Sequence, residues 1–324
     1  MSRVLILGGG GMVGQKLAQR LLDEGLNGAA CTITLHDMAF PPSGAQVAHQ
    51  VQGNLAEAGT MEALAAQKFD VIFHLASIVS GQAETDFDLG WQVNMQPTWA
   101  LLEALRAEQG KDPAYRPRMV FTSSIAVFGG PYPDKISDTF LSAPQTSYGA
   151  QKSICETMIS DFSRKGFIDG ISIRLPTICV RPGKANLAAS SFFSGIIREP
   201  LNGMEAILPV PDTVRHWHAS PRAAAGFLTH AAGLDLARLE GRRALNLPGV
   251  SCTVAEQIEA LREVAGNDVV ARIKPQPDAA IMKIVEGWPR NFEPQRALEL
   301  GFRAESSFKE IIEIYIEDDL KQPV

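Results

Sequence analysis

The chain has 324 residues, room for two domains or for one large α/β unit with a smaller lobe. It is 45% hydrophobic, 20% charged and 7% aromatic, which excludes disordered, collagen-like and disulfide-scaffold classes. With 36 acidic against 30 basic residues, a formal charge of -6 and no Lys/Arg block, it lacks the electrostatic footprint of a nucleic-acid binder.

An apolar run over residues 3–7 gives way to four glycines, then to Val13, Leu17, Ala18, Leu21 and Leu22 at helical spacing: strand, turn, helix. The alternation continues with strands over 31–35, 71–75, 119–122 and 171–175 and helices over 61–66, 98–107 and 147–163. Strands alternating with helices imply βαβ units, so the expected fold class is α/β: a Rossmann-like doubly wound parallel sheet with a smaller C-terminal lobe. After Pro176 the pattern loosens, because Pro182, Gly183, Pro200, Gly203, Pro209 and Pro211 interrupt any regular element. Helical periodicity returns over 253–265 and 307–318, broken between by Gly301-Phe302. The expected division is a dinucleotide-binding domain over 1–177, with a returning segment around 211–249, and a substrate lobe from 178–210 and 250–324.

Four scattered cysteines, Cys31, Cys155, Cys179 and Cys252, carry no C-x-x-C spacing, so neither a disulfide framework nor a zinc site is indicated and a reducing cytosol suits them. No stretch of 18 apolar residues and no cleavage-site pattern occurs, so we expect a cytoplasmic protein with neither signal peptide nor membrane partner.

Gly8-Gly9-Gly10-Gly11-Met12-Val13-Gly14 follows a predicted strand and opens a predicted helix, the context a dinucleotide-binding loop needs. From Gly9 the run fits G-x-G-x-x-G; from Gly8 it fits G-x-x-G-x-x-G. The glycines alone do not choose between the two spacings. Glycine permits the tight turn and the close approach of backbone to a pyrophosphate, while the helix N-terminus supplies free N–H groups. Asp37 ends the next strand, 23 residues after Gly14, where a carboxylate accepts hydrogen bonds from the adenosine ribose. Met38, Ala39 and Phe40 follow, with no arginine to neutralise a 2′-phosphate, so NAD is favoured over NADP.

Tyr148 and Lys152 stand four residues apart in a predicted helix and so project from one face. A lysine cation beside a phenol favours the phenolate, a base able to take a proton from an alcohol. Upstream, Thr122-Ser123-Ser124 ends an apolar strand, where an open parallel sheet binds its ligands, so Ser124 can hydrogen-bond a reacting oxygen.

The glycine loop, His74-Leu75-Ala76, Asn94, Thr122-Ser123-Ser124 with Val127-Phe128-Gly129, and Tyr148/Lys152 together resemble the extended short-chain dehydrogenase/reductase family over nearly the whole chain. The resemblance implies that Tyr148 is the general base, that Lys152 tunes it and holds the nicotinamide ribose, and that Ser124, or Ser123 as second choice, polarises the substrate. It further implies that Gly8, Gly11, Met12, Val13, Gly14, Asp37, Asn94, Tyr148 and Lys152 hold NAD. Leu75, Ala76 and Ser77 line the cofactor in this reading, Asn54-Leu55 flank the adenine, and Pro176 to Ile178 meet the carboxamide. Many relatives have Asp where this chain has Asn54.

Relatives that eliminate water carry an acidic pair where Ile125-Ala126 stand, so dehydration lacks its acid and base. The Arg-x-aromatic-x-His-Val-x-Asp stretch of sugar epimerases also departs, reading Arg215-His216-Trp217-His218-Ala219-Ser220. The segments 174–184 and 192–201 resemble instead the branch of the family that oxidises D-erythronate. That implies a small sugar acid as partner, oxidised by NAD at its C2 hydroxyl, with Ser77, Ser123, Ser124, Tyr148 and Thr177 at the substrate. Arg181, Arg198, Arg215 and Arg222 offer guanidinium forks for its carboxylate or ion-pair partners for surface acids. The alternatives are a nucleotide-sugar 4-epimerase and a non-catalytic NAD sensor. His216 and His218 flank Trp217 on an expected strand and could share a face, but no third ligand lies near them, so we expect polar packing and no metal. The resembled family often dimerises, which makes a homodimer one expected assembly.

Overall fold

The computed structural model describes residues 1–47, 49–183 and 189–320. They form two compact units: Met1–Val127, Pro144–Leu175 and Ala225–Asn246 in the first, and Phe128–Ala143, Pro176–Ala224 and Leu247–Val324 in the second.

The first unit is built on seven strands: β1 (Ser2–Leu7), β2 (Cys31–Asp37), β3 (His49–Gln52), β4 (Val71–His74), β5 (Arg118–Ser124), β6 (Asp169–Leu175) and β7 (Ala244–Asn246). They pair in parallel in the order β3, β2, β1, β4, β5, β6, β7. This is the Rossmann-like doubly wound sheet. Val4 to Leu7 and all of β4 are buried, as strands with both faces covered must be, and their continuous apolar runs follow from that. Helices α1 (Met12–Glu24), α2 (Thr60–Ala65), α3 (Gln96–Lys111) and α4 (Ser147–Arg164) make the crossovers. On one side Leu64, Phe69, Leu101, Leu105, Phe121 and Ile159 pack together. The strand order reverses between β1 and β4, and ligands of open α/β sheets bind beyond the strand ends at such a point. Strand β3 has no apolar alternation to announce it: every residue of His-Gln-Val-Gln is exposed, and backbone pairing to β2 alone makes it a strand.

In the second unit Arg215–Ala219 pairs in parallel with Thr177–Ile178 and antiparallel with Val250–Thr253. Helices Ser191–Leu201, Val254–Ala265 and Phe308–Asp318 supply Phe193, Ile197, Leu261, Phe308 and Ile312 to its core. The described residues between 176 and 211 thus hold more regular structure than the prolines suggest. Pro200 lies in the last turn of Ser191–Leu201, where it forgoes one i→i−4 bond, to the Ile196 carbonyl, and the helix ends one residue later. Thr253 and Glu256 form a capping box that starts Val254–Ala265: each accepts the other's backbone N–H, at 3.1 and 2.6 Å. Three short helices, Asn267–Val270, Ala279–Glu286 and Gln295–Glu299, lie between the two expected C-terminal ones. They are too short for a 3.6-residue period to show.

Candidate active site

The glycine loop joins β1 to α1. Gly8 has φ +85°, and a Cβ there would lie 2.7 Å from the Ala76 nitrogen, so only glycine lets β1 run this close to the chain leaving β4. A side chain on Gly14 would overlap the Gly8 carbonyl oxygen. Gly11 is different: the nearest atom to a Cβ there is 3.5 Å away, and as N-cap of α1 it brings no capping side chain. The first N–H groups of α1, with Met12 and Val13 half-buried beside them, are thereby left to an anion, and these residues fit a dinucleotide pyrophosphate.

Asp37 accepts the Gly10 N–H at 2.8 Å and the Met38 N–H at 2.7 Å, which aims its carboxylate beside the loop with acceptor capacity left. Asp37→Ala should lower the preference for NAD over NADP by about tenfold, because one carboxylate–phosphate repulsion near a protein surface is worth on the order of 1 to 4 kcal/mol. Comparative titrations with both dinucleotides measure it, and an unchanged preference would remove the argument. Asn54 is exposed and its Oδ1 accepts the Ala56 N–H at 2.9 Å; Leu55 beside it is half-buried.

Leu75, Ala76 and Ser77 follow β4, all half-buried. Their course is held by buried Asn94, whose Oδ1 accepts the Ile78 N–H at 2.8 Å and whose Nδ2 donates to Gln151 Oε1 at 2.8 Å. Asn94 lies in a π-helical turn, Trp91–Met95, a distortion common at functional sites.

Helix α4 is placed by its N-terminus. Thr146 accepts the Gly149 N–H at 3.1 Å, Glu84 accepts the Ser147 N–H at 2.9 Å, and a side chain on Gly149 would overlap the Ala126 carbonyl oxygen. Gly149→Ala should therefore push α4 off the end of β5 and cost about 1 to 3 kcal/mol of stability, with a fall in kcat/KM because Tyr148 is the adjacent residue. Thermal denaturation beside kinetics checks it; wild-type values for both would overturn it. Lys152 is fully buried in the α4–β5 packing: its Nζ donates to the Thr122 carbonyl at 2.8 Å and lies 4.7 Å from the Phe121 ring centre and 5.6 Å from that of Tyr148. The structure thus brings the cation and the phenol together on one face. Ser124 is half-buried with its Oγ accepting the Ala126 N–H at 3.1 Å; Ser123 is buried and its Oγ has no partner among the described residues. His74, bonded to Thr98 at 3.0 Å, is held down to a pKa of about 3 by burial and by the Lys152 cation, so it stays neutral.

The remaining candidates belong to the second unit, where Pro176 and Ile178 are buried and Thr177 is half-buried. His216 Nδ1 faces the Pro289 carbonyl at 3.0 Å and must donate to it; its Nε2 then accepts from the Thr177 hydroxyl at 2.7 Å. The Phe193 ring stacks on His216 with centroids 5.2 Å apart, and Phe308 meets His218 edge-on. Burial lowers His216 to about 4 and His218 well below its usual value. These two histidines are neutral packing groups. Among the described residues no cluster of three or more His, Cys, Asp or Glu could hold a metal ion, and no helix is long and apolar enough to cross a membrane.

The four arginines all have partners. Buried Arg198 donates to the Arg181 carbonyl at 2.8 Å and to Glu199 at 2.5 Å, and Arg181 Nε donates to the Ile178 carbonyl at 3.0 Å. Arg215 pairs with Glu256 at 3.1 Å, and Arg222 with Glu317 at 2.8 Å and with Asp318. Sequence reasoning did not single out Gln15, Glu84, Thr98 or Gln151. None sits in a recognisable spacing, and only Gln151, lying between Tyr148 and Lys152, had a signal nearby.

Residues 4–219 match the family described as NAD dependent epimerase/dehydratase. The chain belongs to that family. Its cofactor is NAD and it is an NAD-dependent oxidoreductase of the extended short-chain type. It is 47% identical over 323 residues to D-erythronate dehydrogenase of Cupriavidus necator, covering 97% of this chain and 98% of that one. To D-erythronate dehydrogenase of Haemophilus influenzae it is 41% identical over 320 residues, covering 98% and 100%. A crystal structure described as the nucleoside-diphosphate-sugar epimerase from Agrobacterium tumefaciens superposes with a TM-score of 0.94 at 55% identity, covering 98% of this chain and 94% of that one.

Proposed function

We propose that this family member is a dehydrogenase of small sugar acids, oxidising the C2 hydroxyl of D-erythronate to the 2-oxo acid. The observation that carries the substrate is near full-length identity, at 41 and 47%, to two proteins named D-erythronate dehydrogenase. The chemistry rests on Tyr148 and Lys152 sharing one face of α4 at the carboxyl end of β5.

In this reading Gly8, Gly11 and Gly14 let the backbone meet the pyrophosphate, the N–H groups at Met12 and Val13 bind it, and Asp37 takes the adenosine ribose. Asn54 and Leu55 flank the adenine, Leu75 to Ser77, held by Asn94, line the cofactor, and Pro176 to Ile178 meet the carboxamide. Bound NAD supplies the hydride acceptor. Tyr148 removes the C2 hydroxyl proton while the C2 hydrogen leaves with its electron pair, so C2–O becomes a carbonyl and Tyr148 returns its proton to solvent. Lys152, its Nζ 5.6 Å from the Tyr148 ring centre, supports Tyr148 and holds the nicotinamide ribose. Ser124 donates to the reacting oxygen, with Ser123 and Ser77 beside it. Thr177, Arg181, Arg198 and Arg215 are the candidates for the acid's hydroxyls and carboxylate. Of these three arginines Arg215 has the half-exposed acid pair, with Glu256, and it also donates to the Ser251 carbonyl at 3.0 Å.

The 55% identical crystal structure, being that of a protein named nucleoside-diphosphate-sugar epimerase, favours a second reading: a nucleotide-sugar epimerase on the same three side chains. One assay separates them: NADH formation with NAD or NADP on D-erythronate, L-threonate, D-gluconate and UDP-sugars. NADH from D-erythronate with NAD supports the dehydrogenase. Interconversion of a UDP-sugar without net NADH would leave the Ser-Tyr-Lys roles standing and remove the sugar acid.

A further inference from the structure

Gln15, the residue after the last glycine of the loop, has its carboxamide fixed at both ends. Nε2 donates to the Gly9 carbonyl at 2.5 Å, and Oε1 accepts the Ala45 N–H at 2.7 Å. Neither end can be reversed, because a carbonyl only accepts and an N–H only donates. The side chain thus ties the glycine loop to the segment between β2 and β3, thirty residues on. Two glycines are shaped around that tie. A Cβ on Gly44 would overlap Gln15 Oε1, and a Cβ on Gly10 would overlap the carbonyl oxygen of Ala39. The segment after Asp37 is therefore seated against the glycine loop at both of its ends, by Ala39 on Gly10 and by Ala45 on Gln15. Asp37 itself, through its 2.8 Å bond from the Gly10 N–H, belongs to the same contact.

We propose that Gln15 is a positioning residue for the adenosine half of the cofactor site: it latches the segment 38–45 beside Asp37, so that backbone stands where a 2′-phosphate would have to go. This rests on the reading of the glycine loop as the NAD cradle. Asp37 then excludes NADP by charge and the latch excludes it by shape, and the two are coupled through Gly10.

The test is equilibrium binding of NAD and NADP to the purified full chain, by calorimetry or quenching of intrinsic fluorescence, beside steady-state kinetics. Gln15→Met keeps the length and volume of the side chain and removes both hydrogen bonds. Each such bond contributes about 0.5 to 1.5 kcal/mol, so with both lost the Kd for NAD should rise at least about fivefold and at most about 150-fold. NADP affinity should fall less or rise, so the preference for NAD shrinks. KM for NAD should rise with Kd, while kcat at saturating NAD stays within about twofold, a split that general destabilisation does not produce. Gly44→Ala, which displaces the carboxamide from the other side, should reproduce the binding loss of Gln15→Met. A wild type that binds NAD beside Gln15→Met and Gly44→Ala proteins that bind it equally, with unchanged preference, overturns the latch alone. A wild type that binds neither dinucleotide overturns the cradle and the latch with it.

Discussion

Tyr148→Phe should lower kcat by at least about a hundredfold, and by up to about 10⁴-fold, while leaving NAD binding and thermal stability near wild-type values. The magnitude is that of losing a positioned proton acceptor in the transition state. The substitution removes one oxygen and keeps the ring, so the packing of Lys152, whose Nζ lies 5.6 Å from the ring centre and 2.8 Å from the Thr122 carbonyl, persists. If Tyr148 takes the proton in the transition state, as proposed, the fall should appear in kcat and in kcat/KM alike. Stopped-flow measurement of NADH formation, beside an NAD titration, decides it. A variant that turns over like the wild type would remove Tyr148 from the chemistry, and one that loses NAD binding as well would make it a cofactor ligand first.

The second large effect is on stability. The protein should lose folding free energy steadily as pH falls from about 6.5 to 4. His74 and His216 have folded pKa values of about 3 and about 4, the first through burial and the Lys152 cation, the second through burial. The unfolded chain titrates them near 6.5. Above pH 6.5 both states are neutral and stability is full. Below it the unfolded state takes up protons that the folded state refuses, so stability falls until the folded pKa is reached. At pH 5 each histidine then costs about 2 kcal/mol, and His218, lowered well below its usual value by burial, adds in the same direction. About 4 kcal/mol is a large share of the 5 to 15 kcal/mol that holds a typical domain folded. The groups held below the usual carboxylate range, Glu256 by the Thr253 backbone N–H and Asp112 by Lys68, lose their contribution only at lower pH, so the window from 6.5 to 5 isolates the histidines. Urea denaturation at pH 7.5, 6 and 5 measures the slope, and His216→Asn should flatten it. A denaturation free energy constant across that window would show that these rings carry no burial penalty.

Period and spacing alone made much of the first unit legible. The runs at 3–7, 71–75 and 119–122 are continuous and apolar because both faces of a parallel sheet are covered, and β1, β4 and β5 are where those runs stand. Glycine at 8, 11 and 14, Asp37 after the next strand, and Tyr148 with Lys152 one turn apart are local patterns, and local patterns survive in one dimension. Strand β3 was invisible because its residues are polar and exposed, and only its partner β2 makes it a strand.

The tertiary structure decided whatever depends on a partner far along the chain. The arginines looked alike in sequence as forks for an anion. Their partners separate them: buried Arg198 serves the backbone of Arg181, while Arg215 meets an acid 41 residues away at the surface. Spacing placed His216 and His218 on one strand and pointed to polar packing; which rings pack on them, those of Phe193, Trp288 and Phe308, and the burial that keeps them neutral came from the fold. Gln15 is an ordinary helix residue until folding brings Ala45 against it. Local order follows from nearest-neighbour sterics and hydrophobic period, which sequence carries directly. Burial, charge state and the partner of a long-range hydrogen bond such as that of Gln15 to Ala45 follow from which distant segments the fold packs together, and those exist only in three dimensions.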